Sequence, residues 1–198
     1  MPHQPAADGK STPQLSPPAW RRIQGPQICA RTGPVGAATS VWEHPVRGRR
    51  LEALEVVASD WCTVVAVTPD DHVILVRQFR FGTGRLSLET PGGVVDEGES
   101  AASAAARELF EETGYRGDTP ELLSRVHANP ALQANLALGF LVQNASFVGG
   151  HTPDADEDIE VLRVAASAVP GLIAAGEVHH ALIVVALQAW LLRRATQA

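Results

Sequence analysis

Between Gly92 and Tyr115 the chain commits to one local structure, a glycine-bearing loop running into a helix that stops abruptly. Five alanines fall among residues 101–106, the strongest helix formers available, and Gly114 supplies a natural C-terminal stop. A helix is therefore predicted over residues 100–113, preceded by the loop PGGVVDEGES. That helix carries Arg107, Glu108, Glu111 and Glu112. At roughly 100° per residue, Glu112 lies about 40° to one side of Glu108 and Glu111 about 60° to the other, so the three carboxylates share a face. Such a face is a poor choice for stability alone. Like charges four residues apart cost roughly 0.2–0.5 kcal/mol, and acids near a helix C-terminus oppose its dipole. Arg107, four residues before Glu111, offsets only part of the repulsion. A divalent cation would offset more. Clustered carboxylates and waters form a hard, oxygen-only donor set that suits Mg²⁺ or Mn²⁺. The alternative is a solvated acidic face. Gly92 and Gly93 favour the cation, because backbone without side chains can approach a ligand or metal closely.

The segments around this helix set the fold class. WCTVVAV (61–67) and VILVRQF (73–79) are β-branched runs separated by Thr68-Pro69-Asp70-Asp71-His72, whose turn chemistry predicts a hairpin. FGTGR (81–85) is a glycine-broken loop, and LSLE (86–89) a short strand. After the helix, ELLSRVHA, LALGFLVQNASF and IEVLRV read as strands. AASAVPGLIAAG and HHALIVVALQAWLLRRA read as helices, the latter with Arg193 and Arg194 favourably placed near its C-terminus. Strands, one helix, more strands and then helices predict an α+β sandwich and not an alternating parallel sheet. Upstream, Trp20, Trp42, Leu51, Leu54 and Val56 sit in apolar alternations broken by Gly and Pro, which predicts short strands of a small N-terminal sheet. Residues 1–18, rich in Pro, Ser, Gln and Ala, are expected to form a disordered tail. The expected division is thus a tail (1–18), an N-terminal β segment (19–58) and a main domain (59–198).

Composition narrows the partners. A chain of 198 residues suits one domain with a short appendage and can bury enough surface to fold without staples. Its 22 acids and 16 bases leave net −6, which argues against a protein that coats nucleic acid but leaves a nucleotide ligand open. Cys29 and Cys62 form no Cys-x-x-Cys pattern and are expected as buried free thiols in a reducing cytoplasm. The N-terminus has no apolar core, so no signal peptide is expected. The most apolar stretch, residues 181–192, is too short for a membrane span, contains Gln188, and reads as a buried helix. A cytoplasmic protein without nucleic-acid or membrane partners is expected.

Gly93, five residues, Glu99, seven residues, then Arg107-Glu108-Leu109-Phe110-Glu111-Glu112-Thr113-Gly114-Tyr115 resembles the complete signature of the Nudix hydrolase family, with Tyr115 an aromatic variant of its last hydrophobic place. The resemblance implies an enzyme that hydrolyses a nucleoside diphosphate linked to another group, on an α/β/α sandwich around a mixed sheet. By position it implies that Glu108 and Glu112 ligate divalent metal, with Glu111 an additional or shared ligand and the Gly92 carbonyl a further one. It also implies that Arg107 orients the glutamates, with Glu99 as its partner. Metal would neutralise the diphosphate and lower the pKa of a bound water, and a carboxylate would complete water activation.

Neighbouring residues resemble one branch of that family. VRQFRFGTGRLSLETPGG is similar to the segment preceding the signature in ADP-ribose and nucleotide-sugar pyrophosphatases, which implies substrate contacts for Arg80 and Glu89. On a strand, Gln78 and Arg80 share a face. Pro130, 16 residues past Gly114, is a further mark of the ADP-ribose group. Asn129-Pro130-Ala131-Leu132 replaces the group's usual Ser-Pro-Gly and following Glu, which counts against strict ADP-ribose specificity. The catalytic base of that group lies on a later loop, here DADEDIE (154–160), where Glu157 is the choice and Asp156 and Asp158 are alternatives. Trp42 is expected as a core residue; stacking on the base is the alternative, because members of the branch often lend N-terminal residues across a homodimer. His179 and His180 are expected as surface or packing residues at the start of the last helix. The expected reaction is hydrolysis of ADP-ribose or a related nucleoside diphosphate sugar to a nucleoside monophosphate and a sugar phosphate. Dinucleoside polyphosphates, coenzyme A species and a non-catalytic nucleotide sensor are the alternatives.

Overall fold

The computed structural model describes residues 19–150 and 158–197. The expected tail and the expected base Glu157 lie outside them. Three strands come first: β1 (Arg21–Thr32), β2 (Val35–Glu43) and β3 (Arg50–Ala58). They form a separate antiparallel sheet in the order β1-β2-β3. These strands are not short; they run 12, 9 and 9 residues. Gly25 and Pro26 do not end β1, because its register against β2 shifts between Gln24 and Gln27. An edge strand tolerates Pro at such an irregularity, where no ladder bond is required of it. Every residue of β1 is exposed, so Cys29 is not the buried thiol expected from composition, while Cys62 is.

The main sheet begins with β4 (Trp61–Val67), β5 (His72–Arg80) and β6 (Arg85–Glu89). Helix α1 (Ala101–Thr113) follows, then β7 (Tyr115–Arg116), β8 (Glu121–His127), β9 (Leu136–Val142), β10 (Ser146–Phe147) and β11 (Glu160–Ala165). The order is β11-β5-β4-β9-β8, with β6 paired to β5. Within it β4 and β9 run parallel and their other pairings are antiparallel, so the sheet is mixed. LALGFLVQNASF splits into β9 and β10 around Asn144, whose φ of 54° turns the chain. β10 then pairs with β7. The segment after β11 opens as a single 3-10 turn before the short helix α2 (Val169–Ala174), with a proline in its first turn. The last helix, α3, spans Ala181–Gln197.

Alternation along the strands divides the core into two layers. Cys62, Val64, Ala66 and Ile74 pack with Ala104, Ala105 and Leu109 of α1. Val65, Val73 and Leu75 pack on the other face with Ile183, Ala186, Leu187 and Trp190 of α3. Those four α3 positions form one helical stripe, which identifies α3 as a covering layer. The result is the expected α/β/α sandwich. Among the described residues no helix is long and apolar enough to cross a membrane.

One detail of the sheet positions the site. β4 and β5 pair only at Ala66 and Val67 opposite Ile74 and Val73, and the far end of β5 pairs with β6 instead. The loop before α1 runs along the part of β4 left open. Val64 N–H donates to the Pro91 carbonyl (2.8 Å), Cys62 N–H to the Gly93 carbonyl (2.9 Å), and Val95 N–H to the Asp60 carbonyl (2.9 Å). The glycine-bearing loop is therefore held like an extra strand.

Candidate active site

Helix α1 has the limits its sequence predicts. Ser100 caps it by accepting from the Ser103 N–H at 3.1 Å, and Gly114 closes it at φ 71° while donating to the Phe110 carbonyl. Arg107 is the hub of its acidic face. Its guanidinium donates to both oxygens of Glu99 (3.2 and 2.9 Å), to Glu108 (2.8 Å), to Glu111 (3.0 Å) and to the Val94 carbonyl (3.2 Å). The bond from Arg107 holds the Glu99 carboxyl below the usual carboxylate range. The Glu99 bond in turn raises the pKa of Arg107, so its charge is permanent. One side chain thus ties the loop to two of the helix carboxylates.

Both glycines lie in close contact with their surroundings, Gly92 against backbone and Gly93 against a side-chain carboxylate. A Cβ on Gly93 would lie 2.5 Å from Oε1 of Glu108, and one on Gly92 would lie 2.2 Å from the Cys62 carbonyl oxygen. Gly92 N–H donates to Oε2 of Glu112 at 3.0 Å. Glu112 is only 3% exposed. Burial pushes the neighbouring Cys62 thiol up to about 11.

The three carboxylates of the shared face do not converge on one point. Glu108 and Glu111 accept from Arg107, with Glu108 also lying against Gly93, and Glu112 accepts from Gly92 N–H. Among the described residues, no three His, Cys, Asp or Glu side chains stand together as a metal-holding group. The donor chemistry nonetheless fits a hard divalent cation. Glu99, Glu108 and Glu111 all pair with the Arg107 guanidinium, and the acidic side chains offered are all oxygen donors.

Arg80 and Glu89, both expected to contact substrate, are brought together. Arg80 forms two bonds to Glu89 (2.9 and 2.7 Å), and Glu89 is wholly buried. Burial opposes the Glu89 charge, but the bonds and charge of Arg80 outweigh it and hold its pKa below the ordinary value. Gln78, two residues before Arg80 and opposite Ser87, is buried. His180 lies just before α3, half-buried against Trp61 with ring centroids 5.7 Å apart, and burial lowers its pKa.

A depressed native pKa stabilises the fold above the unfolded value of about 4.3 and loses that contribution as pH falls through the native value. Glu89→Gln is therefore expected to lower stability by about 2 kcal/mol at pH 7. The deficit against wild type should shrink steadily in acid. Urea melts of both proteins across pH 3–7 check this; a deficit that stays constant with pH removes the charge from the explanation.

Trp42 and Pro130, distant in sequence, line one groove of about 700 Å³. Its walls are the N-terminal sheet, with Trp20, Arg22 and Glu55, and the loop from Pro130 to Asn135. Val56 N–H donates to the Leu132 carbonyl at 2.8 Å and fastens the two walls together. Trp42 is thus not a core residue. Its Nε1–H donates to Ser40 Oγ at 2.8 Å and to Glu55 at 3.2 Å. Of the acidic loop, Asp158 is described and exposed, and Asp156 and Glu157 lie outside the described residues. Sequence reasoning missed the Val94 carbonyl and the Gly92 N–H, because backbone groups carry no residue-type signal.

Residues 61–182 match the NUDIX domain. The chain belongs to the Nudix family. This Nudix chain is 32% identical over 136 residues to an ADP-ribose pyrophosphatase of Bacillus subtilis, covering 68% of this chain and 74% of that one. It is 50% identical over 118 residues to an ADP-sugar pyrophosphatase of Mus musculus, covering 60% of this chain and 52% of that one. The mouse protein is thus matched over about half its length. A crystal structure of an ADP compounds hydrolase superposes with a TM-score of 0.76 at 23% identity, covering 90% of this chain and 98% of the other, and shares the Nudix fold. The loop–helix unit built on Arg107 lies within the matched Nudix segment, and the groove is shared between that segment and the strands before it.

Proposed function

We propose that this Nudix pyrophosphohydrolase cleaves the diphosphate bond of ADP-ribose or a related nucleoside diphosphate sugar, releasing a nucleoside monophosphate and a sugar phosphate. The observation that carries the reading is the loop–helix unit in which Arg107 binds Glu99, Glu108 and Glu111 while Glu112 accepts from Gly92. Relatives named for ADP-ribose and ADP-sugar support the substrate class.

Glu108, Glu111 and Glu112, with the Gly92 carbonyl, would hold Mg²⁺ or Mn²⁺. Bound there, the cation supplies charge neutralisation for the diphosphate and a lowered pKa for water. Arg107 positions Glu108 and Glu111, and Glu99 anchors Arg107 to the loop. Arg80 offers a permanent cation to a substrate phosphate, and Glu89 fixes its direction from beneath the surface. Glu157 takes the proton from the attacking water as general base. Trp42 stacks on the base, which the half-buried ring lining the groove supports. In the same reading the protein acts in the cytoplasm as a homodimer, without nucleic-acid or membrane partners. Exposed Ile23, Ile28, Leu51 and Leu54 on the N-terminal sheet suit a second copy.

The replaced residues around Pro130 favour a substrate range wider than ADP-ribose alone. A panel of ADP-ribose, other nucleoside diphosphate sugars, dinucleoside polyphosphates and coenzyme A, assayed for monophosphate release, tests this. ADP-ribose should yield AMP with Mg²⁺ or Mn²⁺ and none with chelator. Absence of turnover for every compound in either metal would overturn the proposal.

A further inference from the structure

Three residues of β1 and β2 meet around one carboxylate of β3. Arg22 stands opposite Trp42 across β1 and β2, and Glu55 stands opposite Ala38 across β3 and β2. Ser40 lies between those two positions on β2, so Arg22, Trp42, Ser40 and Glu55 occupy one face of the sheet. Oε1 of Glu55 accepts from Trp42 Nε1 at 3.2 Å and from the Ser40 hydroxyl. Its other oxygen accepts from Arg22 at 3.0 Å. The guanidinium carbon of Arg22 lies 4.7 Å from the centroid of a Trp42 ring, in cation–π range. Glu55 therefore holds the indole by its edge and the cation that covers one of its faces.

We infer that Glu55 is a positioning residue for the nucleobase, fixing the Trp42 ring and seating Arg22 on one face so that the other face is preorganised to stack a flat heterocycle. The inference rests on the reading that Trp42 stacks on the substrate's base. Its physical basis is entropic: an aromatic ring already held in its bound orientation loses little freedom when a ligand stacks on it. The bond from Ser40, opposed by partial burial, keeps Glu55 below the usual carboxylate range, so the clamp stays ionised at neutral pH. Glu55 acts through Trp42 and contacts no reacting atom.

The test uses the full chain and two product probes. AMP carries a base and a phosphate; ribose 5-phosphate carries the phosphate alone. Glu55→Ala should weaken AMP binding about tenfold and leave ribose 5-phosphate within about twofold. Glu55→Gln keeps an acceptor for Trp42 Nε1–H and should restore most of the AMP affinity. In a double-mutant cycle, Glu55→Ala should cost nothing further once Trp42→Ala is present. Tight AMP binding by folded Glu55→Ala, or additive losses in the cycle, would overturn the inference. Trp42→Ala with wild-type AMP affinity would instead remove the stacking reading beneath it. If Glu55→Ala does not fold, Ser40→Ala takes its place in the same cycle, with a severalfold loss of AMP expected in the wild-type background and none in Trp42→Ala.

Discussion

Glu112→Gln is expected to lower turnover of ADP-ribose about a thousandfold while the protein stays folded. Glu112 is almost wholly buried and accepts a bond from Gly92 N–H. Glutamine keeps an oxygen that can accept that bond, so the contact between loop and helix survives. What disappears is one anionic donor from the set that would hold the cation. Losing a ligand of this kind removes several kcal/mol of transition-state stabilisation, and about 4 kcal/mol corresponds to a thousandfold in rate. Turnover numbers at saturating Mg²⁺, beside a thermal melt, check it. A folded variant with ordinary turnover takes Glu112 out of the chemistry.

Gly92→Ala should be the most destabilising small substitution in the site. The new Cβ would sit 2.2 Å from the Cys62 carbonyl oxygen and 2.7 Å from the Thr63 Cα. Both are backbone atoms of β4, a central strand, and neither can swing away as a side-chain tip would. Relief requires the loop to leave β4, breaking the bonds from Val64 to Pro91 and from Cys62 to Gly93. A loss of about 3 kcal/mol is expected, which lowers the melting temperature by roughly 6–12 °C in a domain of this size. At Gly93 the crowded neighbour is the Glu108 carboxylate, a flexible group, so crowding there is relieved by moving a site residue. Calorimetry of Gly92→Ala with an unshifted melt would show that the loop is not held against β4 as described.

Much of the fold was legible because its signals are local. Apolar, β-branched runs placed β4, β5, β8, β9 and β11 closely, and alanine content with Gly114 placed α1. The N-terminal strands were read as shorter than they are, because Gly25 and Pro26 signal a break that an irregular edge strand absorbs. LALGFLVQNASF was read as one strand because Asn144 at positive φ is not marked by composition. The site was partly legible: the spacing of Glu99 and Arg107 marks both, and the structure pairs them, whereas nothing in the sequence signals that Arg80 and Glu89 bind each other.

Residue order alone determined the loop–helix unit and its crowded acids, since caps, helix propensity and glycine spacing act over a few neighbours. Where those acids point was decided only in three dimensions. Arg107 chooses among several oxygen acceptors and Glu112 turns to a backbone amide, outcomes set by how β4 receives the loop. The groove that joins Trp42 to Pro130 likewise exists only after distant strands pair and Leu132 docks on Val56, because no local preference reaches across so much chain.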